Sequence, residues 1–197
     1  MQLPLKDTMV CVQYLLAGID IDPTCTYYTV SHEFAPGGYV WVFPKGEGKA
    51  NVGLGVQANL PRAGNALDLL NRFIESNPAL ARGYPVTLVV GNVPVALPPT
   101  RTVTDGLMLV GDAARQVDPL TGGGIINAMT AGQIAAQVAV EAIAARDTSG
   151  DFLSRYGERW LRARGTKMQR NYRLREKFPP AQRTDERFVR AFALAAK

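Results

Sequence analysis

One apolar run leads into a glycine-rich turn and then a long alanine-rich segment, and this order constrains the fold more than any other feature. The run GLMLV, residues 106–110, has no polar alternation, which is typical of a strand buried on both faces of a parallel sheet. GDAARQVDPLTGGG follows, and IINAMTAGQIAAQVAVEAIAA then predicts a helix. No second run of this kind occurs in the sequence. A parallel sheet needs at least two strands, so the neighbouring strands are missing from this chain. We therefore expect the chain to be part of a longer protein or half of a two-chain assembly.

Segments rich in Val, Tyr, Phe and Thr come before this run and predict antiparallel strands. They are MVCVQYLLAG, TCTYYTVSHEF, GGYVWVFPKG and KANVGLGVQ, and turn residues such as DIDPT and PKGEGK stand between them. NALDLLNRFIESNPAL has helical spacing, and YPVTLVVGNVPVAL returns to a strand pattern. The predicted fold class is α+β, with three regions: an antiparallel sheet over residues 1–100, a strand–turn–helix segment over 101–147, and a basic helical region over 148–197.

The net charge of +5 is concentrated in the third region. Its only acidic residues between positions 155 and 177 are Glu158 and Glu176. The basic ones are Arg155, Arg159, Arg162, Arg164, Lys167, Arg170, Arg173, Arg175 and Lys177. The simplest interpretation is a solvated helix face, and the alternatives are a surface for nucleic acid, anionic lipid headgroups or an acidic partner chain.

The remaining composition excludes several classes of protein. We find no apolar run of about 18 residues and no signal pattern in MQLPLKDT, so we expect a cytoplasmic chain that does not span a membrane. Cys11 and Cys25 are too few for a disulfide framework or a zinc cluster, and reduced thiols are the simplest interpretation, although neighbouring strands would bring the pair together. The single histidine, His32, lies beside Ser31, which would point to the opposite face of a strand, so a hydrolytic triad is not expected.

The glycine-rich turn has the chemistry of a ligand site. Asp112 follows the apolar run, at the end of the strand where open α/β sheets bind ligands, and its carboxylate suits hydroxyl groups of a sugar-like chain. Pro119 stiffens the loop, and residues 122–124 offer amides without side chains at the positive end of a helix. The alternative is a tight structural loop with Asp112 as a cap. The order of strand, Gly-Asp, Pro, Gly-Gly-Gly and small-residue helix favours the ligand site.

GDAARQVDPLTGGGIINAM resembles the second flavin-binding motif of hydroxylase-like FAD enzymes, in the form found in the geranylgeranyl reductase family. The resemblance implies that Asp112 holds the ribityl chain of FAD and that the rest of the motif lies along the isoalloxazine ring. It therefore implies that the cofactor is FAD, bound by Gly111, Asp112, Ala113, Pro119, Gly122, Gly123, Gly124 and Ile125. It gives no proton donor, and no catalytic residue is assigned.

A second stretch extends this resemblance. PGGYVWVFPKGEGKANVGLGV, residues 36–56, is similar to the family's substrate-side signature with its Tyr-x-Trp-x-Phe-Pro core. Tyr39, Trp41 and Phe43 alternate, so they share one side of a strand. The resemblance implies that these three residues, together with Pro44, line a hydrophobic cavity for an isoprenoid chain. The alternative is an ordinary sheet core.

The chain departs from the family pattern at its beginning. Family members open on a Gly-x-Gly-x-x-Gly turn for the ADP half of FAD, and the nearest match here, residues 53–58, ends a strand and runs into Pro61. We interpret that match as a strand with room beside it for a ligand. The resemblance therefore corresponds to the carboxyl-terminal half of a hydroxylase-like FAD fold, with the amino-terminal half as an expected partner.

The resemblance implies reduction of carbon–carbon double bonds in geranylgeranyl chains, on lipid precursors or on a prenylated pigment. Under this hypothesis we also expect the basic helices to contact a membrane peripherally. Two alternatives stay open: an FAD-dependent hydroxylase or electron-transfer dehydrogenase on the same scaffold, and a nucleic-acid- or partner-binding fragment. We do not expect nucleic acid as a partner, because no sequence feature suited to base readout accompanies the arginines.

Overall fold

The computed structural model describes residues 3–61 and 65–196, in two compact units. Unit 1 comprises Met1–Val93 and Phe178–Ala191, and unit 2 comprises Pro94–Lys177 and Phe192–Lys197. These bounds differ from the three regions expected from the sequence. The basic helical region does not stand alone, because its apolar side chains share a core with the helix that follows the glycine-rich turn.

Unit 1 is built on a five-stranded sheet in the order β2-β3-β4-β1-β5. Strands β1 and β3 each pair antiparallel with β4, and β2 pairs antiparallel with β3, which confirms the antiparallel sheet predicted from the turn residues. The strands are β1 Thr8–Ala17, β2 Tyr27–Thr29, β3 Tyr39–Gly46, β4 Lys49–Gln57 and β5 Tyr84–Pro94.

One face of this sheet forms the core of unit 1 against helix α1, Ala66–Ser76. Strand alternation sends Val40, Val52 and Leu54 to this face, where each is at most 1% exposed, and Leu70 of α1 packs against them. The opposite face carries the aromatic side chains of β3. The sheet therefore has one buried aliphatic face and one half-exposed face that is available for other contacts.

The carboxyl-terminal segment of unit 1 is attached to the sheet by a buried arginine. Nη1 of Arg183 donates to the backbone oxygen of Gly37 and, at 2.8 Å, to Oε1 of Gln57. Helix α5, Glu186–Ala195, follows, and its Phe188 ring packs edge-on against Phe178.

Unit 2 consists of a short hairpin and three helices. Its elements are β6 Val103–Thr104, β7 Leu107–Met108, α2 Ile125–Ala145, α3 Gly150–Trp160, a π-helical turn Leu161–Gly165 and α4 Thr166–Lys177. The core lies between the helices and contains Ala131, Val138, Ala142, Leu153, Tyr156, Trp160 and Met168. Small alanines on α2 let the other helices approach its backbone closely.

The apolar run at residues 106–110 does not form the strand that its composition predicts. Only Leu107–Met108 of the run forms a β-strand, and it pairs antiparallel with Val103–Thr104. The side chains of Leu107 and Val110 are 47% and 37% exposed. The prediction of a strand buried on both faces is wrong for this structure, because no parallel neighbour lies beside the run within residues 3–61 and 65–196 to cover it.

Candidate functional site

The first half of the glycine-rich turn is closed by Gln116. Gly111 has a φ of +63° and begins a single 3₁₀ turn, Gly111–Ala114. Its N–H donates to Oε1 of Gln116 at 2.7 Å, and its carbonyl accepts from the Gln116 backbone N–H at 3.0 Å. These two hydrogen bonds fix the backbone on which Asp112 stands.

The side chain of Gln116 is in turn hydrogen-bonded to a residue of helix α3. Its Nε2 donates to the hydroxyl of Tyr156 at 2.6 Å, and both side chains are at most 1% exposed. Burial raises the pKa of the Tyr156 hydroxyl, and the hydrogen bond from Gln116 offsets only part of that rise. The phenol therefore stays neutral and serves as a fixed hydrogen-bond acceptor behind the turn.

Asp118 organises the second half of the turn. Its Oδ1 accepts from the amides of Leu120 at 2.9 Å and Thr121 at 3.1 Å. The amide of Gly122 donates to the Asp118 carbonyl, and the amide of Gly123 donates to Oγ1 of Thr121 at 3.2 Å. The amides of Gly122 and Gly123 are thus used inside the loop. The amides at the start of α2 differ from these, because the first N–H groups of a helix have no intrahelical acceptor.

Asp112 lies against the start of α2. A Cβ atom built on Gly124 would lie 3.4 Å from Oδ1 of Asp112 and 3.3 Å from Cγ2 of Val117. The first atom of a side chain at position 124 would therefore touch the carboxylate and crowd Val117 slightly. The structure brings Asp112 and Gly124 together at the start of the helix.

The other predicted cofactor residues are unequally accessible. Ala113, Gly123 and Ile125 are exposed, and Ile125 is 79% exposed. Pro119 is buried and faces the interior of the unit, so its contribution is to the shape of the loop. The accessible part of the site is an open stretch of main chain with a carboxylate at one side and the positive end of a 21-residue helix at the other.

In unit 1, the aromatic residues of β3 share one face, as alternation predicts. Trp41 packs edge-on against Tyr39 at 5.8 Å between ring centroids and stacks on Phe43 at 6.2 Å. Tyr28 of β2 joins them at 5.7 Å from Tyr39 and 5.5 Å from Phe43. Tyr28 was missed from the sequence, because only the β2–β3 register places it opposite Trp41. The four rings form a half-exposed aromatic surface, named here the aromatic face.

Pro44 pairs with Ala50, whose side chain is fully buried, so Pro44 lies on the other side of β3 from the three rings, next to a register irregularity before Gly46. Its contact with a substrate stays a prediction. One expectation about this face is wrong. The room expected beside Gly53 is filled by the Trp41 indole, since a Cβ on Gly53 would lie 2.5 Å from its ring. The indole Nε1 reaches across to donate to Oε1 of Gln13 at 2.9 Å.

The remaining candidate groups do not form a second site. Cys11 on β1 and Cys25 before β2 are free thiols, and His32 is exposed in a turn after β2. Within the described ranges no three His, Cys, Asp or Glu side chains come together as a metal site. Helix α2 is long and apolar enough to cross a membrane by length and composition alone, with 17% of its most apolar window buried.

Solved structures share this architecture. The myxobacterial FAD-dependent chondrochloren halogenase matches over 84% of this chain and 40% of its own, with a TM-score of 0.61 and 19% identity, which is a likeness of fold alone. A geranylgeranyl bacteriochlorophyll reductase-like protein from Thermoplasma acidophilum matches over 89% of this chain and 44% of its own, with a TM-score of 0.85 and 42% identity.

The chain belongs to the geranylgeranyl reductase family. Residues 7–93 match the model of the geranylgeranyl reductase catalytic domain. Digeranylgeranylglycerophospholipid reductase 2 of Methanopyrus kandleri is 51% identical over 154 residues, which are 76% of this chain and 39% of that protein. The corresponding reductase of Methanosphaerula palustris is 49% identical over 177 residues, 89% of this chain and 44% of that protein. The chain thus spans less than half the length of these relatives.

Proposed function

We propose that this chain is the carboxyl-terminal part of an FAD-dependent reductase that saturates carbon–carbon double bonds of geranylgeranyl chains on lipid precursors. The observation that carries the proposal is the placement of Asp112 beside Gly124 at the start of α2, in a chain about half identical to digeranylgeranylglycerophospholipid reductases. A prenylated pigment is the alternative substrate, suggested by the name of the similar Thermoplasma acidophilum protein.

The turn in unit 2 suits the ribityl and ring portions of FAD. In this proposal, Asp112 accepts hydrogen bonds from ribityl hydroxyls, and the amides of Gly124 and Ile125 face the ring's pyrimidine edge. Residues 122 and 123 supply main chain that a ring can approach without meeting a side chain. A negative charge near the helix start gains about 0.3–1 kcal/mol. When bound, reduced FAD supplies the hydride for alkene reduction.

The aromatic face of unit 1 suits the isoprenoid chain. Tyr28, Tyr39, Trp41 and Phe43 offer apolar ring surface, and each buried methylene of a ligand contributes about 0.8 kcal/mol. The Trp41 indole is fixed by its hydrogen bond to Gln13, so this surface is in place before any substrate arrives. The chain's own contribution is to bind the hydrocarbon and exclude water.

The cofactor proposal is tested with the variant Asp112→Ala. We expect wild-type protein to bind FAD with quenched flavin fluorescence and Asp112→Ala to bind it at least about tenfold more weakly, because it loses hydrogen bonds to a charged acceptor. Asp151→Ala, an exposed carboxylate of the same unit, is the matched control. Equal FAD affinity in the two variants would contradict the proposed role of Asp112.

The other half of the flavoprotein belongs to the same proposal. Ile126, Met129, Val140 and Ile143 of α2 are 61–71% exposed, an apolar surface of the kind that a partner covers. We therefore expect FAD affinity to rise when this chain is co-expressed with the amino-terminal half of the Methanosphaerula palustris relative. Co-purification of the two polypeptides with a flavin spectrum would support the proposal, and separate elution without flavin would contradict it.

The substrate is tested on that reconstituted protein. Reduced FAD is offered a geranylgeranyl lipid in one reaction and a geranylgeranylated chlorophyll-type pigment in another. Mass spectrometry then counts the pairs of hydrogen atoms added to each. We expect addition to the lipid and a slower reaction in Trp41→Ala. Oxygen-dependent hydroxylation of either compound would favour the hydroxylase alternative instead.

In this proposal the protein is cytoplasmic and binds the membrane peripherally. The basic helices provide the contact with the membrane surface. Helix α4 buries Met168, Asn171 and Arg175, while Arg170, Arg173 and Lys177 point away from that core. Each cation near an anionic membrane contributes about 1 kcal/mol.

Sedimentation with anionic vesicles, compared with neutral vesicles, measures this contribution. We expect the triple variant Arg170→Glu, Arg173→Glu, Lys177→Glu to lose vesicle binding, while Lys45→Glu, an exposed site in unit 1, retains it. Salt-sensitive binding to DNA or RNA in place of vesicles would favour the nucleic-acid alternative.

A further inference from the structure

The face of α4 opposite Arg170 and Arg173 reaches the glycine-rich loop. Nδ2 of Asn171 donates to Oδ2 of Asp118 at 2.7 Å, and the two side chains are 2% and 7% exposed. Oδ1 of the same Asp118 carboxylate holds the amides of Leu120 and Thr121. One carboxylate thus joins the backbone of the loop to a helix residue that lies 53 positions further along the chain.

A second contact connects the same two elements. Nδ2 of Asn127, in the first turn of α2, lies 3.4 Å from the carbonyl oxygen of Gly123 and 3.9 Å from Sδ of Met168. Met168 and Asn171 are both buried and lie on one face of α4, one helical turn apart. The helix therefore supports the loop at both its beginning and its end.

We propose that Asn171 is a positioning residue for the cofactor turn, which fixes the Asp118 carboxylate and through it the loop that ends at Gly124. The inference rests on the proposed flavin site and adds a residue that lies far from the Gly-Asp motif in sequence. A buried carboxylate with two oxygens needs donors for both, and Asn171 supplies the donor for the oxygen that does not hold the loop. Without that donor the Asp118 carboxylate rotates toward other hydrogen-bond partners. The backbone amides of Leu120 and Thr121 then lose their acceptor.

The test is a swap of the two side chains. Asn171→Asp places two carboxylates face to face and removes the donor. The double variant Asp118→Asn, Asn171→Asp restores the pair in reverse. Its amide at position 118 keeps an oxygen for Leu120 and Thr121 and offers an N–H to the carboxylate at position 171. Gln169→Asp adds the same charge at an exposed position of α4 and is the matched control.

Hydrogen–deuterium exchange of the 197-residue chain gives the first result. We expect Asn171→Asp to raise exchange at Leu120 and Thr121 about tenfold or more, with the amides of β4 unchanged, and the double variant and the control to exchange as wild type does. Unchanged loop exchange in Asn171→Asp, failure of the double variant to restore it, or an equal rise across the whole chain would each overturn the positioning role.

FAD affinity, read from flavin fluorescence, gives the second result. We expect it to follow the same order, with Asn171→Asp weakest. Equal FAD affinity in all variants despite altered loop exchange would overturn the link between the loop and the cofactor. If exchange follows the expected order and no form of the protein binds FAD, the flavin proposal fails while the role of Asn171 in the loop stands.

Discussion

The sheet of unit 1 and the glycine-rich turn of unit 2 are stabilised in different ways. In the sheet, Val40, Val52 and Leu54 lie in an aliphatic core under α1. In the turn, the backbone between residues 111 and 124 is held by the buried side chains of Gln116 and Asp118. Apolar contacts have no preferred direction, whereas hydrogen bonds fix atoms in place. The sheet therefore offers a broad surface, whereas the amides of the turn are held in fixed positions.

The largest effect is expected in the sheet core, with Leu54→Ala. Leu54 is fully buried, so removing its side chain atoms leaves a cavity and lowers the free energy of unfolding by about 2–5 kcal/mol. Leu67→Ala on α1, where the side chain is 36% exposed, is the control and changes stability by less than about 1 kcal/mol. Urea unfolding measures both, and similar losses in the two variants would show that the aliphatic face is not the core.

A smaller but more local effect is expected behind the turn, with Tyr156→Phe. The change keeps the ring and removes the acceptor of Gln116 Nε2, which leaves a buried amide unsatisfied and costs about 1–3 kcal/mol. Tyr84→Phe, at a side chain that is 60% exposed, is the control.

Hydrogen–deuterium exchange separates this effect from a general loss of stability. In Tyr156→Phe, the amide of Gly111 is expected to exchange faster than in wild type, while the amides of β4 keep their protection. If β4 loses protection equally, Tyr156 stabilises the whole chain and has no particular role at the turn.

The sequence predicted more of the structure of the sheet than of the contacts that hold the turn. Alternating aliphatic and aromatic residues in β3 identified both faces of the sheet, because strand geometry sends neighbouring side chains to opposite sides. The Gly-Asp turn and the start of α2 were also predictable, since glycine and helix composition are local signals. Asn171 and Tyr156 were not, because their roles depend on how α3 and α4 fold back onto residues 40 and 53 positions earlier. Strand Leu107–Met108 was mispredicted because apolar composition indicates burial without saying which neighbour provides it.

The smallest expected effect concerns Cys11, on the half-exposed face of the sheet beside Gly55. Burial raises the pKa of the Cys11 thiol from 9.0 to about 11. A raised pKa means that the folded state favours the protonated thiol, so its contribution to stability is fully present below pH 9 and is lost as the pH rises through 11.

Urea unfolding at about pH 8 and about pH 10, under reducing conditions, measures the loss by comparing wild type with Cys11→Ala. The stability of wild type relative to Cys11→Ala should fall by about 1 kcal/mol between the two pH values. Cys25→Ala, which removes an exposed thiol, is the control. If Cys11→Ala follows wild type, the thiol is hydrated in the folded state. Water would then reach the aromatic side of the sheet at β1, whereas the face under α1 excludes water. In that case an isoprenoid chain would bind only beside the rings of β3.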